Sequence, residues 1–436
     1  MKKILLRNTN LNWLLINRFI SMPFEILIIS MMARYLKPEG LGKFSYAVSL
    51  TTIFAIISTF GLDNVIIKKI IEKKEDLNVV MGTSLIFRFI SSILMAIAVN
   101  IYSLFRVEDI EIQIMIFVLS LGFLFQSFKV IDYYFQAISK CKFTVISLKL
   151  SMFSGYLLKF IAIAKGMNLV FFSLINTISD MILSIFNILF FQKYNIDGNS
   201  IKFWKPSIKL VKELITDCWP LAIAAFSTQI LLRLDQVMLQ EISGNIECGI
   251  YVAAIKIIGI WNFIINAFGA AFYPKLLQSK LKSDIEYKNM LQHYYIIMFW
   301  VAVFFVLVNI VIGKYFVLIL FGQQFSESAT PLIITSWSLI ASFLGMAVNH
   351  YLIAENHVTI ILFQTLFGCF ASVIFNLLLI PKLGATGAAI AMVISFSFST
   401  FSYLFFSKTR TNAGILLNVL NLKSIKITLN KIIGKA

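Results

Sequence analysis

The sequence predicts an all-α integral membrane protein of about twelve transmembrane helices, and three observations lead there. Apolar residues make up 59% of the 436 residues and charged ones only 14%, where soluble domains carry roughly 45–50% and ~25%. Mean hydropathy is +0.86. The apolar residues also gather into runs of span length, since a helix needs ~20 of them to cross ~30 Å of hydrocarbon. This composition excludes a soluble enzyme, a disordered chain and a fibrous repeat.

Twelve segments satisfy that length. They cover 13–33, 44–62, 81–104, 112–135, 143–164 and 168–191, then 214–239, 252–272, 294–312, 329–352, 358–380 and 386–406. Between the ninth and tenth, Tyr315–Gly322 is too short to cross and is expected at the interface. The first run is itself of span length and lacks an A-x-A exit, so it reads as a retained helix, not a cleaved signal.

The formal net charge of +17 comes from 38 Lys+Arg against 21 Asp+Glu. No soluble basic domain remains that would bind nucleic acid, so the excess is read as topology. With the N-terminus inside, cytoplasmic segments hold 24 cations and outer loops seven: Arg34, Lys37, Lys43, Arg106, Lys165, Lys314 and Lys382. Both termini are therefore expected in the cytoplasm. The longest internal loop splits the chain into 1–191, an N-terminal six-helix bundle, a cytoplasmic linker 192–213, and 214–406, a C-terminal six-helix bundle. A basic cytoplasmic tail, 407–436, interleaves Leu and Ile with Lys and Asn and is expected to lie on the inner membrane surface.

The halves share a faint repeat. Gly42-Lys-Phe-Ser-Tyr-Ala47 and Gly249-Ile-Tyr-Val-Ala-Ala254 both read G-x-aromatic-x-x-A, each after a span holding a proline, Pro23 or Pro220. An even span count per half makes such repeats parallel, as in two-bundle transporters.

Seven cations fall inside spans: Arg18, Arg88, Lys129, Lys149, Lys159, Arg233 and Lys256. Five carboxylates accompany them, Glu25, Asp132, Asp180, Asp217 and Asp235, and spans nine to twelve hold no charge. Each charge at a helix centre costs about 2.5–3.5 kcal/mol on insertion scales, so partners or a hydrated cavity are required. Local explanations cover some of them. Lys129 and Asp132, at i and i+3, are expected to pair. Arg233, Asp235 and Lys256 lie near span ends where snorkelling is open to them, and Asp217 lies at a span entrance. Arg18 and Glu25 share a helix face about 10 Å apart along the axis. A lumen-facing role is expected for Arg18, Glu25, Arg88, Lys149, Lys159 and Asp180, against the alternative of buried networks joining helices. Cations in excess suit an anionic substrate, and Lys and Arg suit phosphate oxygens.

Several chemistries lack their residues. Cys141, Cys218, Cys248 and Cys369 have no CxxC spacing, and His293, His350 and His357 are scattered, so neither disulfides nor a metal site is expected. No GxxxxGK[ST] loop marks ATP hydrolysis, and the carboxylates form no evident catalytic pair. Transport fits better than catalysis.

One family resemblance covers nearly the whole chain in order. Ala33-Arg-Tyr-Leu-Lys-Pro-Glu-Gly-Leu-Gly-Lys-Phe-Ser-Tyr-Ala47, Gly61-Leu-Asp63, Leu232-Arg-Leu-Asp-Gln-Val-Met-Leu239, Gly249-Ile-Tyr-Val-Ala-Ala-Ile-Lys256, Pro274-Lys-Leu276 and Asn376 through Ile380-Pro-Lys-Leu-Gly-Ala-Thr-Gly-Ala-Ala-Ile-Ala391 resemble the polysaccharide repeat-unit flippases of the Wzx type. These belong to the multidrug/oligosaccharidyl-lipid/polysaccharide exporter superfamily. The resemblance implies two six-helix bundles around a central cavity, in the bacterial cytoplasmic (inner) membrane. It also implies movement of undecaprenyl-diphosphate-linked repeat units to the outer leaflet by alternating access, for O-antigen, capsule or lipopolysaccharide. Basic roles carry onto Arg18, Arg233 and Lys256, while Asp63 and Asp235 match motif positions as structural caps or coupling carboxylates. Span two here has no Lys or Arg, unlike the family pattern.

The expected cycle follows. The diphosphate meets Arg18, Arg88 and Lys149 from the inside, with its tail in lipid, and bundle rocking exposes it toward Lys159, Arg233 and Lys256. Glu25, Asp63, Asp180 and Asp235 are the candidates for exchanging a coupling H+ or Na+; no other cofactor is expected. The partners implied are the lipid-linked oligosaccharide, the bilayer, and polymerase and chain-length proteins of the same pathway. The alternatives are a related exporter of drugs, organic cations or another lipid-linked precursor, and, in a different class, a membrane-embedded glycan polymerase or transferase.

Overall fold

The computed structural model describes the backbone of residues 2–194, 201–417 and 419, with side chains from Met22 onward except those of Thr411 and Leu417. Among the described residues there is no strand. The helices are α1 Lys2–Thr59, α2 Leu62–Glu72, α3 Leu77–Arg106, α4 Ile110–Gln126, α5 Val130–Ala137, α6 Cys141–Ala164 and α7 Leu169–Tyr194. They continue with α8 Ile208–Ser243, α9 Asn245–Lys282, α10 Asp284–Phe321, α11 Ala329–Ser336, α12 Ser338–Ala354, α13 Val358–Phe401 and the short α14 Ala413–Leu417. Among the described residues ten helical runs are long and apolar enough to cross a membrane. Two of these runs are double: α1 is two helices joined at Lys37 (φ 60°, ψ 177°), and α13 is two joined at Gly384 (φ 53°, ψ −130°). The all-helical architecture of about twelve spans is thereby borne out.

The break at Lys37 has a local cause. It precedes Pro38, whose ring disfavours helical geometry in the preceding residue. Tyr315–Gly322, by contrast, is not a separate segment: α10 runs through it unbroken to Phe321 and stops only at Gly322 (φ 89°). The length ruler ended span nine too early, because neither Gly313 nor Lys314 suffices to end a helix that its neighbours pack against.

The chain divides into two compact units, Met1–Gln229 and Ile230–Ala436, with the boundary inside α8. In unit 1, α2 is amphipathic and buries Leu62, Ile66 and Ile70 at helical spacing. They join Val80, Met81, Val130, Ile131, Tyr134, Phe135, Phe191, Leu210 and Leu214 in one apolar cluster. The stretch 201–207 also packs on this unit. Lys205 N donates to Asn78 O at 3.3 Å and Ser207 N to Thr83 Oγ1 at 3.0 Å. Gly82 makes the approach feasible, since a Cβ there would lie 2.6 Å from Lys205 N. Residues 195–200 of the linker, and 418 and 420–436 of the basic tail, lie outside the described residues.

The repeat between the halves reappears in the backbone. Lys37 and Gly244 each precede the repeat glycine, Gly42 or Gly249, by five residues and share one unusual conformation, φ 60°, ψ 177° and φ 88°, ψ −176°. That register sets Pro23 opposite Ile230, so the two span prolines are not equivalent. A second match lies before α6 and α13. Ser139 and Asn356 both have φ 58°. Lys140 N donates to Phe135 O and Ser139 N to Gln136 O, just as His357 N donates to Leu352 O and Asn356 N to Ile353 O. Both are left-handed helix ends whose amides close back on the last carbonyls.

Candidate functional site

Helix α7 is held in unit 1 by side chains bonding to neighbouring backbone. Thr177 Oγ1 donates to Val118 O at 2.7 Å, Ser184 Oγ to Phe125 O at 2.6 Å, and Ser151 Oγ to Ser179 O at 2.6 Å. In lipid, such polar bonds and small residues replace the hydrophobic drive for helix packing. Gly155 leaves room for α7, since a Cβ there would meet Ser179 Oγ at 2.5 Å.

This clamp presents Asn176, Ser179 and Asp180 to a polar cavity of about 420 Å³. The facing walls are Val48, Thr51, Thr52 and Ala55 of α1, and Leu119, Phe123, Gln126 and Lys129 around the end of α4. Gln126 Nε2 donates to Asp180 Oδ2 at 2.9 Å. Lys129 closes a 3-10 turn, Ser127–Lys129, which shifts it out of simple helical register with Asp132. It makes no contact ion pair with Asp132 of the kind the spacing had suggested, although its charge acts on Asp132; it also lines the cavity with Asp180. The signal missed in the sequence is this tightening of the helix, which changes the angle between residues three apart.

Arg88, expected in the lumen, is only 1% exposed. Its Nη1 donates to Tyr133 Oη at 2.5 Å, and Tyr133 in turn donates to Asp63. The guanidinium carbon also lies 5.7 Å from the Tyr133 ring centroid. Three elements, α3, α5 and α2, are joined this way. Arg88 Nε has no hydrogen-bond partner among the described residues.

The remaining candidates are spread over both units. Arg18 lies within α1, and its side chain is outside the described residues. Glu25 is exposed on α1. Lys149 and Lys159 are half-buried on α6, with Lys149 Nζ 5.8 Å from the Phe153 ring. In unit 2, Arg233 and Lys256 are half-buried, while Asp235 is buried and accepts a hydrogen bond from Tyr251. Its Oδ1 also accepts from Gln236 N at 2.8 Å. The structure thus brings Asp63 and Arg88 into one network and gathers Asp180 with Lys129, while Lys149, Lys159, Arg233 and Lys256 are in neither group. Tyr133 and Tyr251, which satisfy two of the carboxylates, were missed; nothing in the sequence separates them from the other tyrosines. No group of three or more His, Cys, Asp or Glu suited to a metal ion occurs among the described residues.

The second cavity belongs to unit 2. It measures about 530 Å³ and is lined by Lys275, Gln278, Ser279, Lys282, Glu286, Asn289, Met290 and His293. Lys282, the last residue of α9, is tied there to Glu286 in the first turn of α10 at 3.3 Å, across the extended Ser283.

Comparison with known proteins agrees with this fold. The chain is 24% identical over 403 residues to a capsular polysaccharide biosynthesis protein, CapF, of Staphylococcus aureus, covering 92% of this chain and 98% of the relative. An inward-facing multidrug resistance MATE family transporter of the MOP superfamily superposes with a TM-score of 0.71 at 15% identity, over 89% of this chain and 94% of that one. The Lipid II flippase MurJ in an inward closed conformation gives 0.71 at 14% identity, over 93% and 90%. The expected exporter fold is therefore present, in a multi-pass membrane protein. Residues 7–280 match the family described as polysaccharide biosynthesis protein. The chain belongs to the polysaccharide biosynthesis protein family.

Proposed function

We propose that the protein is a flippase for undecaprenyl-diphosphate-linked oligosaccharide repeat units, moving them from the cytoplasmic to the outer leaflet by alternating access. The observation that carries this reading is the polar cavity of unit 1, sunk among membrane-spanning helices of a chain from a polysaccharide family. A glycan headgroup cannot cross hydrocarbon without shedding water, and a cavity lined by hydroxyls, amides and one cation offers replacement hydrogen bonds. Likeness in fold to a Lipid II flippase supports a lipid-linked precursor as cargo.

Four cations, Lys149, Lys159, Arg233 and Lys256, are half-buried in spans and keep the role of meeting the diphosphate. Arg18 is retained with them. Arg88 is reassigned as a positioning residue, since it is buried with its Nη1 on Tyr133. Among carboxylates, Asp180 has the open position that exchange of H+ or Na+ requires, whereas Asp63 and Asp235 are each capped by a tyrosine. The membrane is the bacterial cytoplasmic (inner) membrane with both termini inside, and polymerase and chain-length proteins are its pathway partners.

Purified protein in liposomes should make an undecaprenyl-diphosphate-linked oligosaccharide, loaded in one leaflet, accessible from the other side. Formation of glycosidic bonds in the same vesicles would point instead to a polymerase or transferase. Transport of organic cations that survives changing Lys149, Lys159, Arg233 and Lys256 to Gln would point to a drug exporter.

A further inference from the structure

We infer that the cavity between α1, α4 and α7 is a sugar subsite, taking a ring that carries hydroxyl and N-acyl groups, and is not the seat of the diphosphate. This rests on the flippase reading and specifies which part of the cargo the cavity holds.

Three polar groups on its walls have unused hydrogen-bonding capacity. Lys129 acts on Asp132 and Asp180 through its charge but makes no hydrogen bond to a described residue, Asn176 makes no hydrogen bond to one, and Asp180 uses only Oδ2, on Gln126. The hydroxyls of Thr51, Thr52 and Ser179 are each turned onto a backbone carbonyl of their own helix, leaving their lone pairs as acceptors. An occupant must therefore give hydroxyl protons to Asp180, give a carbonyl oxygen to Lys129, and both give and accept at the Asn176 amide. An N-acyl amino sugar supplies all three.

The charge argues the same way. Lys129 and Asp180 oppose each other in one cavity, so its formal charge is zero, and a diphosphate would meet a carboxylate beside a single ammonium. A neutral polyol suffers no such repulsion. At about 420 Å³ the cavity falls in the range of roughly 300–1,000 Å³ usual for small-ligand sites. Phe123 and Leu119 supply the apolar wall that a sugar ring's C–H face requires.

The test compares two lipids on the intact protein in nanodiscs, N-acetylglucosaminyl-diphospho-undecaprenol and undecaprenyl diphosphate. Wild type should bind the glycosylated lipid about fivefold tighter, the worth of one neutral hydrogen bond. Asn176→Ala, which removes no hydrogen bond of the fold, and Thr52→Trp, which fills the cavity, should each bring the two affinities together while leaving that for undecaprenyl diphosphate unchanged. Equal affinity of the two lipids for wild type would overturn the inference and leave the flippase reading standing. So would an unchanged preference in both variants, or an equal loss for both lipids. Wild type that binds neither lipid would overturn the flippase reading, and the subsite with it.

Discussion

Arg88 and Tyr133 are joined by a 2.5 Å hydrogen bond, Nη1 to Oη, and the tyrosine passes its own proton on to Asp63. A cation and a carboxylate on different helices are thereby linked through a neutral phenol. Removing one partner of a buried ionic network strands the others, which costs more than the bond itself contributed.

Tyr133→Phe should therefore destabilise the protein by about 1.5–3 kcal/mol, the usual worth of a hydrogen bond to a charged group. Arg88→Ala should lower its abundance in the membrane as well as transport. Thermal unfolding in detergent, followed by fluorescence-detected size exclusion, reads both. A Tyr133→Phe melting curve that overlays wild type would rule out the network as a structural element.

These networks explain how far the sequence could be read. Span number was legible because the bilayer demands apolar runs of fixed length, and nothing else produces them. The fate of each intramembrane charge was not. Arg88 and Lys149 look alike in sequence, yet one is sealed against Tyr133 and the other is half-buried beside Phe153. That difference depends on contacts between helices distant in the chain. Lys129 shows a local limit: it stands in a three-residue 3-10 turn and lines the cavity of Asp180 without reaching contact with Asp132. The repeat was visible as a motif, but its true register emerged only from the shared backbone of Lys37 and Gly244.

Asp109 gives a pH dependence with a definite sign. Burial acts to raise its pKa, but Lys43 Nζ at 2.7 Å and the backbone amides of Glu111 and Ile112 outweigh it and hold the carboxyl below its ordinary value. A depressed folded pKa means the stabilisation is present above the unfolded value of ~3.9 and is lost as pH falls through the folded one. Melting temperature should thus carry this pair's full stabilisation, with no pH dependence from it, between about pH 5 and 8, and decline below about pH 4. In Asp109→Asn that part of the acid decline should be absent; an identical acid profile in the variant would contradict the assignment.

Gly384 allows the break in α13. With φ 53° and ψ −130° it occupies backbone space that L side chains rarely adopt, and a Cβ would stand 2.5 Å from Glu247 Oε2. The same carboxylate accepts Ala385 N at 2.7 Å, fixing the helix that follows. Gly384→Ala should cost about 1–3 kcal/mol from backbone strain alone. Glu247→Gln keeps an acceptor and should cost less. Both are checked by the same unfolding assay, and equal losses would show that the carboxylate, not the backbone, governs the break.

The most direct test is leaflet transfer itself. Liposomes holding the purified protein receive an undecaprenyl-diphosphate-linked oligosaccharide in one leaflet, and a membrane-impermeant lectin counts what appears in the other. Wild type should transfer the lipid well above protein-free vesicles. Lys149→Gln combined with Arg233→Gln should slow transfer about tenfold, at equal protein content, for loss of charge-assisted contacts to phosphate. Transfer by wild type no faster than in protein-free vesicles would contradict the account.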